Sequence, residues 1–188
     1  SEAVANWPAW DVAPFERVSP DISQMGSRLE LRHRLQHQPP LVIVATVRSL
    51  LQVVPPLAQS REVRTGSDCD RNELVRWLVA HGYRREPQVE HRGEIAVRGD
   101  IVDVWLSHLD EPARIELFGD TVERIAHFDV STQRSLGISE RLVVLPAREW
   151  TPNESERERA RDVAGRSELF AELFDPIAEG LYPDGMES

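Results

Sequence analysis

At Gly82 the spacing of apolar residues changes from three-and-four to two, and that switch limits the fold more than any other feature. Before it, Leu74, Trp77, Leu78 and His81 recur along one side of a helix. Asp70 and Glu73 have the spacing of a capping box, and Gly82 supplies the stop. After it come short runs with β character: Tyr83 to Val89, Glu94 to Arg98, Ile101 to Leu106, Arg114 to Phe118 and Val122 to Phe128. Arg92-Gly93, Gly99-Asp100, Asp110 to Pro112 and Gly119-Asp120 separate them as turns. The prediction is a helix followed by an antiparallel meander, within an α+β chain.

The flanks read differently. Trp7 to Ser19, with Trp10, Phe15 and several prolines, has no period and is expected to follow a surface. Ser19-Pro20 suits the start of a helix with Met25, Leu29, Arg32 and Leu35 on one side, ended by Pro39-Pro40. Leu41 to Ala45 is a continuous apolar run, the pattern of a strand covered on both faces in a parallel α/β sheet. Thr46 caps a short helix through Val53. Ala58 to Asp70 is polar and fits a strand or a linker. Arg141 to Leu145 reads as a strand, Thr151 to Glu154 as a capping box opening a helix from Pro152 to Ala164, and Ser167 to Ala178 as a further helix through Leu169, Phe170, Leu173, Phe174 and Ile177. These shifts divide the chain into residues 1–60, 61–145 and 146–188.

Charge and residue types exclude several functions. The net charge is −10, and the three segments carry 0, −4 and −6. That balance argues against a dominant electrostatic grip on nucleic-acid phosphates. All 22 basic residues are arginine, so a phosphate-loop lysine, a Schiff-base lysine and a lysine general base are absent. No nucleophile motif or glycine-rich phosphate loop occurs, and no catalytic residue and no cofactor are expected within these residues. His33 and His37 have a spacing that suits two imidazoles on one metal, but Arg34 between them disfavours a cation, so no metal site is expected. Cys69, the only cysteine, lies between Asp68 and Asp70, whose charge disfavours a thiolate. No apolar run approaches the length of a membrane span. A cytoplasmic location is expected, and the absence of an opening methionine suggests a piece of a longer protein.

Within the acidic chain, Gly82 to Arg98 is a mildly basic island of four arginines (Arg84, Arg85, Arg92 and Arg98) against three glutamates. If Glu90 to Gly93 form a four-residue turn, the flanking strands pair about it and Arg85 lies opposite Arg98. Like charges facing each other cost stability, which points to a pair kept for an anionic partner.

GYRRE at Gly82 to Glu86, GEIAVRGDIVDVW at Gly93 to Trp105, RIELFGDTVERIAHFD at Arg114 to Asp129 and TQRSL at Thr132 to Leu136 together carry a resemblance. The block resembles the UvrA-binding domain shared by the excision-repair helicase UvrB and the transcription-repair coupling factors (Mfd). WDVAPFERVSP and VIVATVRSLLQ resemble the first helicase-like domain of the same proteins. The resemblance implies a UvrA-binding domain inserted between partial, degenerate P-loop NTPase-type segments that pack together. It also implies UvrA contact through Arg85 and Arg98, with Arg84 and Tyr83 beside them in the GYRRE motif. A further family arginine, two before Arg98, is replaced here by Ala96. For the full-length protein it implies ATP and Mg at a motor elsewhere, and contact with RNA polymerase and DNA through other domains. The TQRSL stretch and the lack of tyrosines near Trp7 to Phe15 favour the coupling factor. The alternative is UvrB, an ATP-dependent damage-verification enzyme.

Overall fold

The computed structural model describes residues 3–12, 19–40, 42–52, 54–56, 60–166 and 168–179. At its centre the change of period becomes a helix laid on a sheet. The helix, Arg71–Ala80, is capped by Asp70, whose carboxylate accepts from the amides of Asn72 and Glu73. Only half of the expected capping box forms, because the Glu73 carboxylate turns to Arg61, 2.7 Å away. Gly82 follows at φ 90°, a left-handed conformation that suits glycine and turns the chain into the sheet.

Numbered in chain order, the strands are β1 Val4–Trp7, β2 Val42–Ala45, β3 Arg61–Arg64, β4 Arg84–Arg85, β5 Glu94–Arg98, β6 Ile101–Val104, β7 Ala113–Phe118, β8 Thr121–Phe128, β9 Ser135–Ser139 and β10 Arg141–Val144. The helices are α1 Ile22–His37, α2 Val47–Leu51, α3 Arg71–Ala80, α4 Glu154–Ala164 and α5 Glu168–Ala178. The main sheet has the order β4-β5-β6-β7-β8-β9. From β5 to β8 it is the predicted meander, which β9 extends by a further antiparallel strand. Its core face carries Ile95, Val104 and Ala113 in one row and Val102, Ile115 and Ile125 in the next, packed with Leu74, Leu78 and Tyr83.

Three elements of this sheet depart from the sequence reading. The expected strand from Tyr83 to Val89 is two residues long, since Pro87 has no amide for a ladder. The chain then loops back to enter β5 in the same direction as β4, so these two strands are parallel. Finally, β9 was not anticipated: it is five residues long and nearly all of it is exposed, so no buried face marks it. Outside this sheet, β3 and β10 form their own antiparallel pair.

In the first segment, β1 and β2 pair in parallel. β2 is not the doubly covered strand its sequence suggests: Val42, Ile43 and Val44 are 51%, 43% and 54% exposed. A sheet of two strands among the described residues offers nothing to cover that face. Helix α1 starts later than predicted, at Ile22, because the Asp21 carboxylate rather than Ser19 reaches the Ser23 amide. Its buried side holds Met25, Arg28, Leu29 and Arg32, while Leu35 faces solvent. Thr46 caps α2 as expected; Phe15, Leu41 and Val53 lie outside the described residues.

Helix α1 seats directly on the sheet unit. A Cβ at Gly26 would run into the backbone of Ser107 and His108, and one at Gly93 into the Ile22 side chain. The first and last segments also meet, as expected, through an ion pair between Arg28 of α1 and Glu149. At the C-terminal end Asn153, not Thr151, is the cap, with a reciprocal box to Glu156, so α4 begins at Glu154. Ala160 of α4 packs with Ile177 and Ala178 of α5. The side chains of Leu169, Phe170 and Leu173 and all of Ser167 lie outside the described residues.

The seat of α1 has a pH signature. His108 is mostly buried there, and that burial, with His33 nearby, pulls its imidazole down to about 4 from the usual 6.5. The unfolded chain takes up this proton below 6.5 and the folded one does not until about 4. Stability is therefore full above the unfolded value and is lost as pH falls through that window. Between pH 7 and 5 the loss from this one group is about 2 kcal/mol at 1.36 kcal/mol per unit. Urea unfolding of the natural chain and of His108→Gln at both pH values is the check. The difference in their pH dependence isolates His108 from His33 and His81, whose burial shifts them the same way. Equal pH slopes for the two proteins would show that His108 is not buried neutral.

Candidate functional site

Side chains alternate across a strand, so the register fixes which residues share a face. On the face away from α3, Ala96, Asp103, Arg114, Ala126 and Ile138 form one row and Arg98, Ile101, Glu116 and Arg124 the next. Arg84, matched to Glu94, joins this face at the β4 edge. It carries four arginines against three acids, in a protein whose net charge is −10.

Two buried carboxylates organise it. Asp103, 2% exposed, accepts a two-pronged bond from Arg114, Nε at 2.7 Å and Nη2 at 2.9 Å. Those bonds raise the Arg114 pKa, and its guanidinium lies 4.6 Å above the Phe128 ring. Arg98 reaches the same carboxylate only at 3.5 Å and keeps 53% of its side chain exposed. Glu94 accepts the amides of Glu90 and His91, each at 2.8 Å. Partial burial works against ionisation there, but these amides win and hold its carboxyl below the usual carboxylate range. Arg84 touches Glu94 at 3.4 Å and is 69% exposed. Arg84 and Arg98 are thus loosely steered by acids whose stronger bonds are spent elsewhere. Most of their N–H donors point to solvent, ready for a carboxylate.

The predicted Arg85–Arg98 pair is not present. Because β4 runs parallel to β5, Arg85 is matched to Ile95, on the opposite face from Arg98. It is exposed at the sheet edge and has no hydrogen bond or ion pair among the described residues. Arg84 and Arg98 share the face instead, four residues apart along β5, roughly 13 Å at ~3.3 Å per residue. Tyr83 drops out of the exposed set: it is 3% exposed and its hydroxyl donates to the Leu145 carbonyl at 2.8 Å. Arg92, the fourth arginine of the basic island, is spent on Asp110 and the Leu109 carbonyl.

The sequence reading singled out neither Glu94 nor Asp103. The turns alone do not give the partnership of Asp103 with Arg114: a hairpin loop at Asp110 to Pro112 would set Asp103 opposite Gly119, whereas the observed register sets it opposite Arg114. Cys69 is half-buried, and that burial, more than Asp70, raises its thiol. No group of three or more His, Cys, Asp or Glu among the described residues has metal-holding geometry. Among them, too, no helix is long and apolar enough to cross a membrane.

Comparison with known proteins matches residues 62–150 to the family described as UvrB interaction domain. The transcription-repair-coupling factor of Myxococcus xanthus is 40% identical over 197 residues, covering 98% of this chain and 16% of that protein. Its counterpart in Escherichia coli is 27% identical over 194 residues, covering 99% and 17%. The UvrABC system protein B of Enterococcus faecalis is 35% identical over 124 residues, covering 64% and 19%. The chain spans about a sixth of the length of the coupling factors it matches.

Proposed function

This chain belongs, through residues 62–150, to the UvrB interaction domain family, and on that premise we propose that it is a non-catalytic docking module for UvrA in a transcription-repair coupling factor. The carrying observation is the arginine face of the main sheet: Arg98 and Arg84 are held in place by Asp103 and Glu94 yet offer most of their donors outward. Acidic side chains of UvrA are the complement, with Arg85 at the β4 edge as an added contact. Recruitment would deliver UvrA to lesions where RNA polymerase has stalled. Polymerase, DNA, ATP and Mg would be engaged by parts of the protein outside this chain, in the bacterial cytoplasm. The pair β1 and β2 with α1, and the helices α4 and α5, would be the helicase-like segments that bracket the insertion. A coupling factor is preferred to UvrB because its likeness runs over nearly the whole chain, against 64% and 84% for two UvrB relatives.

Calorimetric titration with purified UvrA from the same organism tests the reading. A saturable complex that weakens as salt rises is expected, since opposite charges meet across the interface. No heat and no co-migration at protein concentrations far above typical recruitment affinities would remove UvrA as the partner.

A further inference from the structure

Among the described residues only one other than glycine has a positive φ, Gln133 at 59°. That left-handed conformation is strained for a residue with a side chain, and such strain persists only where the surrounding structure holds it. Here the turn from β8 to β9 does so. The Asp129 carboxylate accepts the amide and hydroxyl of Thr132 at 2.7 and 2.8 Å. The Gln133 amide donates to the Asp129 carbonyl at 2.7 Å, and the Asp129 amide to the Arg134 carbonyl at 2.9 Å. The product is a fixed place for one side chain. Gln133 Nε2 donates to the Val130 carbonyl at 2.9 Å, which leaves Oε1 turned to the arginine face, where it accepts from Arg114 Nη2 at 3.1 Å.

Arg114 and Arg98 compete for one buried carboxylate. Asp103 gives both oxygens to Arg114, and its Oδ2 is shared: Arg114 Nη2 lies at 2.9 Å and Arg98 Nη2 at 3.5 Å. A carboxylate takes one guanidinium in the two-pronged geometry, so the arginine that holds Asp103 is spent and the other is left for a partner. Beyond Asp103, Arg114 is held by the Phe128 ring, 4.6 Å away, and by Gln133. The ring leaves the guanidinium free to turn in its own plane. Gln133 fixes that turn, because it bonds the same nitrogen that reaches Oδ2.

We propose that Gln133 is a positioning residue of the docking face: it keeps Arg114 on Asp103 and so keeps Arg98 for the partner. Its consequence for binding rests on the reading of this face as the UvrA surface; the division of Asp103 between the two arginines does not.

Glycine at position 133 separates this role from a structural one, since it takes a φ of 59° without strain while losing the side chain. Gln133→Gly is expected to unfold at the same or a higher urea concentration and yet to bind UvrA several-fold more weakly in calorimetric titration. Gln133→Asn, which tolerates the left-handed region but is too short to reach Arg114, is expected to match it. In an Arg98→Ala background the same changes should cost no further affinity, because the arginine they engage is gone. Hydrogen exchange at the arginine Nε–H groups, followed by NMR without UvrA, reports the division of Asp103 directly. Arg114 is expected to be the better protected in the natural chain; in Gln133→Gly it should exchange several-fold faster and Arg98 more slowly. Early unfolding of both variants, unchanged exchange at both arginines, natural affinity in both variants, or a full loss that persists without Arg98 would each overturn the proposal. Failure of the natural chain to bind UvrA would remove the docking reading alone, and the exchange rates would still decide the role of Gln133.

Discussion

Replacing Glu149 by leucine is expected to cost about 3–5 kcal/mol of folding stability, because it strands a buried guanidinium that cannot lose its charge. Arg28 is 0% exposed. Its Nε donates to Glu149 Oε2 at 2.8 Å, and its Nη1 to the Pro8 carbonyl at 2.9 Å and Gln52 Oε1 at 3.2 Å. The Trp7 and Trp10 rings flank it at 4.1 and 4.9 Å, and Trp10 Nε1 also donates to Glu149 Oε2 at 2.8 Å. Arg32 Nη1 stands 3.6 Å from the other carboxylate oxygen, an ion pair too long for a hydrogen bond. One carboxylate thus answers two guanidiniums and ties Trp10, α1 and residue 149 together. Urea unfolding of Glu149→Leu is the measurement. Adding Arg28→Met should recover much of the loss, since a buried pair replaced on both sides by apolar groups is often nearly neutral. A loss below about 1 kcal/mol in the single variant would mean that the pair is not buried as described.

This network also shows where the sequence stops being informative. Arg28 and Glu149 are 121 positions apart, and arginines on a helix ordinarily mark its wet side. Reading α1 by period therefore placed Leu35 in the apolar stripe and left Arg28 out, the reverse of what packing selects. Strands β5 to β8 were legible because alternation agrees with turn chemistry, with Gly93, Gly99 and Gly119 all at positive φ where the chain reverses. Strand β9 was not, because an exposed edge has no inward face to imprint a period. At the site, the arginines were legible as residue types but not as a surface. Their arrangement depends on the direction of β4, which is set by Pro87 and by the Glu94 carboxylate that gathers the returning loop. A slip in strand direction moves side chains to the other face, and that is why Arg84, not Arg85, stands with Arg98.

Arg98→Glu is expected to lose about 2–5 kcal/mol of UvrA binding, roughly 30-fold to several-thousand-fold in affinity. The substitution removes a two-pronged donor and sets a like charge against the partner's acids. Folding should change far less, by no more than about 1 kcal/mol, because the side chain is half exposed and its only ion pair among the described residues, at 3.5 Å, is the weaker one to Asp103. Asp103 keeps Arg114 at 2.7 Å, so its buried charge stays answered. Arg159→Glu, an exposed change on α4, is the matched control and should leave affinity intact. Comparing Arg84→Glu with Arg85→Glu then locates the partner. With UvrA seated on the face that Arg84 shares with Arg98, the first should weaken binding more than the second. The opposite order would mean that UvrA wraps the β4 edge. If Arg98→Glu and Arg84→Glu both bind as tightly as the natural chain while remaining folded, the arginine face is not the docking surface.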